Sequence, residues 1–229
     1  GIVASARRIL SEVNAIEDAA KAAHDPFSGK IRIGAFPTLA SYFFPHVVPR
    51  ITDAMPNLRM ILIEEKTDTL LEKLRLGQID AAFLALPVHD TLFDVAELFE
   101  DPFYLAVPSG HALAHEVEVD PEVLYRHTLL LLEEGHCLRD QSLEVCSVLG
   151  ASEEPDCRAT SLETLREMVK ARSGITLMPQ IAIQKGEERI AYVPFAGGNL
   201  SRTIGLVWRK TSKRRQVFEK IISECTKAF

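Results

Sequence analysis

Three short apolar stretches decide the fold of this chain: KIRIGAF at residues 30–36, LRMILIE at 58–64 and IDAAFLAL at 79–86. Each has the length and composition of a β-strand. The segments between them, residues 39–55 and 67–76, have the apolar spacing of helices. A strand–helix–strand–helix–strand order predicts an α/β fold with a parallel sheet and right-handed crossovers.

A second set of strands and helices follows. We expect further strands at residues 103–107, 128–132, 157–159, 175–178, 190–193 and 202–208, and helices after Cys137, over 161–171 and over 212–228. Two α/β units joined more than once would place a ligand cleft between them.

Local signals refine these expectations. Pro45 and Pro49 fall inside the first helix, which we therefore expect to be bent or split there. Thr160 and Glu163 have the spacing of a capping box opening the helix at 161–171, and Gly174 is placed to stop it.

The first segment has a period of its own. Its apolar residues recur at alternating separations of four and three: Ile2, Ala6, Ile9, Val13, Ile16, Ala20 and Ala23. Such a seam is typical of a coiled coil, although an amphipathic helix packed on its own domain would read the same way. Residues 24–29 then break the helix, as a linker would.

The composition of the chain argues against several classes of protein. The 229 residues are 47% hydrophobic and 25% charged, which is too rich in core formers for a disordered chain. The apolar runs are too short to span a bilayer. A net charge of −6 argues against this chain binding nucleic acid by itself. It begins with Gly1 and has no signal peptide, so we expect a piece of a longer cytoplasmic protein.

The stretch GHCLRDQSLEVC at residues 135–146 carries the strongest chemical signal. Cys137 would fall near a helix N-terminus, where His136 and Arg139 favour the thiolate. A thiolate attacks the O–O bond of a peroxide, and the resulting sulfenic acid condenses with a second thiol, for which Cys146 is the nearest candidate. Two buried structural cysteines remain the alternative.

Helix geometry sets a condition on a disulfide between Cys137 and Cys146. Nine residues of continuous helix would separate the two Cα atoms by ~13.5 Å, on opposite sides of the axis. A disulfide needs Cα atoms within roughly 4.4–6.8 Å. A bridge between Cys137 and Cys146 therefore requires the helix between them to unwind, as a switch would.

Other signals are weak. His111 and His115 are four residues apart, but Ala112 stands where a zinc protease would have its glutamate, so we expect no metal site. Cys157 and Cys225 read as packing residues, and the basic run at 213–215 as the solvated start of the last helix. No Gly-rich phosphate loop, Ser–His–Asp set or pair of catalytic carboxylates stands out, and we expect no cofactor.

These motifs resemble the OxyR family, the hydrogen-peroxide sensors among the LysR-type transcriptional regulators. The resemblance rests on GHCLRDQ at 135–141 with Cys146, RATSLETLR at 158–166, SGITL at 173–177, RTIGLV at 202–207, and an earlier pattern of Ile33-Gly34, Pro37-Thr38 and Pro45-His46. It extends over about residues 30–210.

The resemblance implies an architecture and a site. Two α/β subdomains like those of periplasmic binding proteins, 30–101 with 203–229 and 102–202, would follow a linker and dimerisation helix at 1–25. Cys137 would be the peroxide-reactive cysteine and Cys146 its disulfide partner, although Cys157 leaves open another resolving thiol. The peroxide pocket would include Thr38, Thr67, His136 and Cys137, beside the flanking Arg139 and Asp140.

The implied function is redox control of oxidative-stress genes. Hydrogen peroxide would be the signal, the chain would form a homodimer or tetramer, and the full-length protein would contact promoter DNA and RNA polymerase. The rivals are a LysR-type domain sensing a small metabolite, with incidental cysteines, and a thiol peroxidase.

Overall fold

The structure is a computed structural model that describes residues 13, 25–127, 129–133, 153–184, 186–198 and 200–228. The predicted linker helix, apart from Val13, and the predicted helix after Cys137 lie outside these residues. The chain divides into two compact units, Gly1–Phe99 with Thr203–Phe229 (unit 1) and Glu100–Arg202 (unit 2).

Unit 1 contains the predicted alternation of strands and helices. Its elements are β1 (Gly29–Ala35), α1 (Pro37–Ala54), β2 (Leu58–Glu64), α2 (Thr67–Arg75) and β3 (Ala81–Ala85), with β9 (Ser201–Arg209) and α4 (Arg215–Thr226) added from the end of the chain. β1 pairs in parallel with both β2 and β3, as predicted, whereas β9 lies antiparallel to β3.

The central strand of this sheet is buried on both faces. Ile31, Ile33 and Ala35 of β1 have almost no exposed surface. Gly34 between them has no room for a side chain, because Leu70 of α2 packs directly against its Cα. Burial on two faces explains why the strand reads as a nearly continuous apolar run.

Helix α1 runs unbroken through both of its prolines, so the expected split is wrong. Phe43, Val47 and Ile51 form its buried stripe, whereas Pro45 and Pro49 lie on its exposed face. The carbonyl groups that lose a hydrogen bond there can be hydrated, and packing of the buried stripe outweighs that loss.

Unit 2 is built around one long strand. Its elements are the second part of β4 (Phe93–Pro108), which begins in unit 1, with β5 (Leu129–Leu132), β6 (Glu153–Ala159), α3 (Leu162–Lys170), β7 (Thr176–Pro179) and β8 (Ile190–Pro194). β4 pairs antiparallel with β7 and β8, and β5 pairs in parallel with β6. The sequence analysis missed the first half of β4, because acidic and half-exposed residues interrupt the apolar pattern there.

Both ends of α3 differ from the prediction. The cap is Ser161, whose Oγ accepts a hydrogen bond from the Thr164 N–H at 3.2 Å, so the proposed Thr160 capping box is wrong. The left-handed residue after the helix is Arg172, with φ of 61°, and not Gly174. Gly174 is instead in close contact with Leu130 of β5, which explains the need for a small residue there.

The basic run at 213–215 is not simply solvated. Arg214 donates hydrogen bonds to the carbonyl groups of Lys30 and Ser28, the second at 2.8 Å. It therefore ties the start of α4 to the start of β1. Within the described residues, none of the helices has both the length and the apolar character needed to cross a membrane.

Candidate functional site

Two threonines begin the helices that follow neighbouring parallel strands. Ala35 of β1 pairs with Glu64 of β2 at the carboxyl end of both strands. Thr38 and Thr67 each lie three residues beyond this pair, in the first turns of α1 and α2. The sheet register thus brings both hydroxyl groups to the edge at which α/β proteins bind ligands.

The two helix starts have no side-chain caps. The cap positions are Phe36 and Lys66, and neither side chain accepts a hydrogen bond from the first turn of its helix. The positive ends of two helix dipoles therefore lie at one sheet edge, where they favour negative charge. This is a suitable environment for a developing hydroxide or another small polar group.

The hydroxyl groups themselves are shielded from water. Thr38 is only 3% exposed. The Oγ1 atom of Thr67 is buried and makes no hydrogen bond to any described residue. A buried hydroxyl without a partner costs free energy, so Thr67 has a donor and an acceptor available for a small polar ligand.

The cysteine motif lies in the connection between two paired strands. Leu132 of β5 pairs in parallel with Ala159 of β6, and the Glu133 N–H donates to the Ala159 carbonyl at 2.9 Å. Residues 134–152 join these strands but lie outside the described residues. They include the predicted site residues His136, Cys137, Arg139, Asp140 and Cys146.

In sequence, Cys137 follows the carboxyl end of β5 closely, as Thr38 follows β1 and Thr67 follows β2. A connection between parallel strands requires a crossover, which is usually helical. The motif therefore occupies the kind of connection in which α/β proteins commonly place functional residues.

Of the other two cysteines, Cys225 and Cys157, only Cys225 has a described side chain. Cys225 in α4 is completely buried, and burial together with the charge of Glu224 raises the pKa of its thiol to about 12. It is therefore a packing residue that stays protonated at neutral pH, as predicted. Cys157 lies on β6, and its side chain is outside the description.

The predicted absence of a metal site concerned His111 and His115. Nδ1 of His111 accepts a hydrogen bond from the Leu113 N–H at 3.2 Å, so this ring caps the short helical turn Ala112–His115. In the part of the chain that the structure describes, no group of three or more His, Cys, Asp or Glu side chains is arranged to hold a metal ion.

Two features of unit 2 are not predicted by any sequence pattern. One is a buried ion pair between Asp101 and Arg202, and the other is a pocket that brings His111, His127 and Arg172 together. Neither involves a motif or a periodic spacing. The one sequence signal for Arg202 is that a charged residue, of a type that is usually exposed, stands in an otherwise apolar strand.

Comparison with known proteins identifies relatives. The family described as LysR substrate binding domain matches residues 24–229. The chain is 40% identical over 222 residues to the DNA-binding transcriptional dual regulator OxyR of Escherichia coli K12, covering 96% of this chain and 73% of that protein. It is 39% identical over 222 residues to the hydrogen peroxide-inducible genes activator of Pectobacterium carotovorum, covering 96% and 74%.

Two solved structures extend the likeness. The reduced form of OxyR has a TM-score of 0.81 at 38% identity, with 89% of this chain and 97% of that chain covered. The oxidised form has a TM-score of 0.80 at 39% identity, with the same coverage. The described fold thus resembles both redox states of that regulator almost equally.

Proposed function

The chain belongs to the family of LysR substrate-binding domains, and on that basis we propose that it is the peroxide-sensing regulatory domain of an OxyR-type transcription factor. The observation that carries this proposal is the cysteine motif at 135–146, placed between β5 and β6 in a chain 40% identical to OxyR of Escherichia coli. The names of the relatives and the similarity to reduced and oxidised OxyR support it.

The proposed chemistry uses two thiols and one peroxide. The Cys137 thiolate attacks one oxygen of hydrogen peroxide, the O–O bond breaks, and hydroxide leaves and is protonated to water. The Cys146 thiol then attacks the sulfur of the sulfenic acid, and a second water leaves as the disulfide forms. Two thiols and one peroxide thus give one disulfide and two waters.

We assign four further side chains to the first of these steps. His136 and Arg139 favour the thiolate by their charge or hydrogen bonding. The hydroxyl groups of Thr38 and Thr67 can accept hydrogen bonds from peroxide and donate to the departing oxygen. The buried Oγ1 of Thr67, which has no described hydrogen-bond partner, supports this assignment.

The output of the switch is a change in assembly and DNA contact. Disulfide formation requires residues 137–146 to leave any continuous helix, for the geometric reasons above. We propose that this refolding alters a homodimer or tetramer that assembles partly through the helix at 1–25. The full-length protein would then change its contacts with promoter DNA and RNA polymerase, in the cytoplasm.

Thiol mass spectrometry before and after one equivalent of hydrogen peroxide tests the proposal. We expect a loss of two hydrogens and a 137–146 crosslink in the wild type, with the sulfur of Cys137 oxidised first. In a Cys146→Ser variant, we expect Cys137 to stop at the sulfenic acid.

Two further measurements, of the assembly state after oxidation and of ligand binding, separate the rivals. Rapid oxidation of Cys137 with no change in assembly would favour a thiol peroxidase. Saturable binding of an organic acid, with an unchanged response in Cys137→Ser, would favour a metabolite sensor. Either result would overturn the proposal.

A further inference from the structure

Unit 2 contains a pocket of about 270 Å³ that the proposed peroxide chemistry does not use. Its walls come from the turn after β4, from His127 just before β5, and from the residues between α3 and β7. The pocket thus lies where β5 and β7 begin, whereas residues 134–152 follow the opposite end of β5. It is a separate site.

Two histidines form one wall of this pocket. The rings of His111 and His127 meet edge to face, with their centroids 5.3 Å apart. Because Nδ1 of His111 already accepts the Leu113 N–H, the neutral ring carries its proton on Nε2. That N–H is then available as a donor to a bound group.

Arg172 supplies the permanent positive charge. Its Nη2 lies 3.8 Å from the position that a Cβ on Gly110 would occupy, so the guanidinium folds over the turn after β4. None of the residues lining the pocket is acidic, and no carboxylate among the described residues pairs with this guanidinium. A cation left without a carboxylate beside two imidazoles attracts an anion.

The backbone of Arg172 ends α3 and fixes the point from which its side chain reaches the pocket. Its φ of 61° is the left-handed conformation that glycine adopts without strain and that an arginine adopts at a cost. It is the only non-glycine residue with a positive φ in the described part of the chain. The Arg172 and Ser173 N–H groups donate to the Val169 and Met168 carbonyls, which is the Schellman motif, so this conformation belongs to the end of α3.

We propose that this pocket binds a small oxyanion, either a phosphate or a carboxylate, with Arg172 as its charged anchor and His111 and His127 as hydrogen-bond donors. The planar guanidinium suits both groups because it can donate two parallel hydrogen bonds. The volume admits a small phosphate ester or dicarboxylate and is below the usual range for drug-sized ligands.

The electrostatics of the histidines agree with an anion. Burial, followed by the charge of His127, lowers the pKa of His111. An oxyanion bound beside the rings would oppose both effects by stabilising the imidazolium of His111. Ligand binding should therefore be visible in the ring signals of these two histidines.

Titration of the purified protein with inorganic phosphate and, separately, with succinate tests the proposal. We would follow the His111 and His127 ring resonances by NMR at constant pH and ionic strength. We expect saturable shifts with at least one of the two, in the millimolar range or tighter, that is about −4 kcal/mol or better. The anion that saturates identifies the ligand class as phosphate or carboxylate.

Arg172→Gly is the decisive variant, because glycine accepts the left-handed backbone and the fold should be retained or stabilised. We expect its affinity to fall at least about tenfold, or 1.4 kcal/mol. Arg215→Gln, the same loss of charge on exposed α4, is the matched control and should bind as the wild type does. Equal affinity in Arg172→Gly and the wild type, or no saturation with either anion, would overturn the proposal.

Discussion

The Asp101 carboxylate and the Arg202 guanidinium lie 2.8 Å apart in an ion pair whose two side chains are almost completely shielded from water. Asp101 belongs to β4 and Arg202 to β9, the two strands along which the chain passes between the units. The second oxygen of Asp101 accepts the Ile181 N–H at 3.0 Å, and the guanidinium lies over the Phe103 ring. The ion pair therefore connects β4 and β9 with the segment that contains Ile181.

We expect Asp101→Asn to lower the free energy of unfolding by about 3–5 kcal/mol, because the buried Arg202 charge would lose its carboxylate. Urea denaturation measures the change. Arg215→Gln, which removes an exposed pair with Glu219, should cost less than about 1 kcal/mol. Similar losses for the two variants would contradict the structural role of the buried pair.

Cys137→Ser should abolish the response to peroxide, whereas Cys225→Ser should leave it nearly intact. The Cys225 thiol is buried with a pKa of about 12, so almost none of it is thiolate at neutral pH. Competitive labelling of the thiols measures the difference directly. Equal labelling rates for all four cysteines would show that the assignment of Cys137 is wrong, and a 137–157 crosslink would show that Cys146 is not its partner.

Thr67→Val should slow the oxidation of Cys137 by peroxide without lowering stability. The substitution keeps the shape of the side chain and removes a buried hydroxyl that has no described hydrogen bond. The free energy of unfolding should therefore be unchanged or higher by up to about 1 kcal/mol. Stopped-flow oxidation and urea denaturation together check this. Thr52→Val, on the exposed side of α1, is the control; if both variants react at the wild-type rate, Thr67 does not hold peroxide.

Oxidation should expose backbone amides within residues 135–150. If these residues begin as ordered helix, forming the 137–146 disulfide breaks several hydrogen bonds, each worth ~1 kcal/mol net. Hydrogen exchange followed by mass spectrometry compares the reduced and peroxide-treated protein. Unchanged protection across this window, with the disulfide verified, would refute the unwinding mechanism.

Ser161→Ala should destabilise the protein by about 1 kcal/mol, whereas Thr160→Ala should have little effect. The reason is that the Ser161 hydroxyl accepts the Thr164 N–H at the start of α3. Thermal or urea unfolding distinguishes the two variants. A larger loss for Thr160→Ala would restore the capping box that the sequence suggested.

Sequence patterns predicted unit 1 well because β1 and β3 are largely buried and read as apolar runs, and β2 is equally apolar although Ile61 and Leu62 are exposed. The same reasoning failed for the first half of β4, where one face meets solvent and acidic residues alternate with apolar ones. It also chose Thr160 over Ser161, because both have a cap-forming hydroxyl and only the backbone geometry decides between neighbours.

In the candidate site, too, some features can be predicted from the sequence and others depend on the tertiary structure. The cysteine motif was visible because its residues are adjacent in sequence, and Thr38 and Thr67 because they match a known pattern. Their alignment at one sheet edge depends on the pairing of Ala35 with Glu64, which no local signal encodes. The Asp101–Arg202 pair spans 101 residues and depends entirely on tertiary structure.

The parallel pairing of Leu132 with Ala159 holds together the two strands that residues 134–152 connect. The chain entropy that is lost by bringing the two ends of this connection together is lost when β5 and β6 pair, before any thiol reacts. The effective concentration of Cys146 at Cys137 is then set by the short chain between them and not by motions elsewhere in the protein. The proposed 137–146 disulfide would then form and be reduced without requiring β5 and β6 to separate.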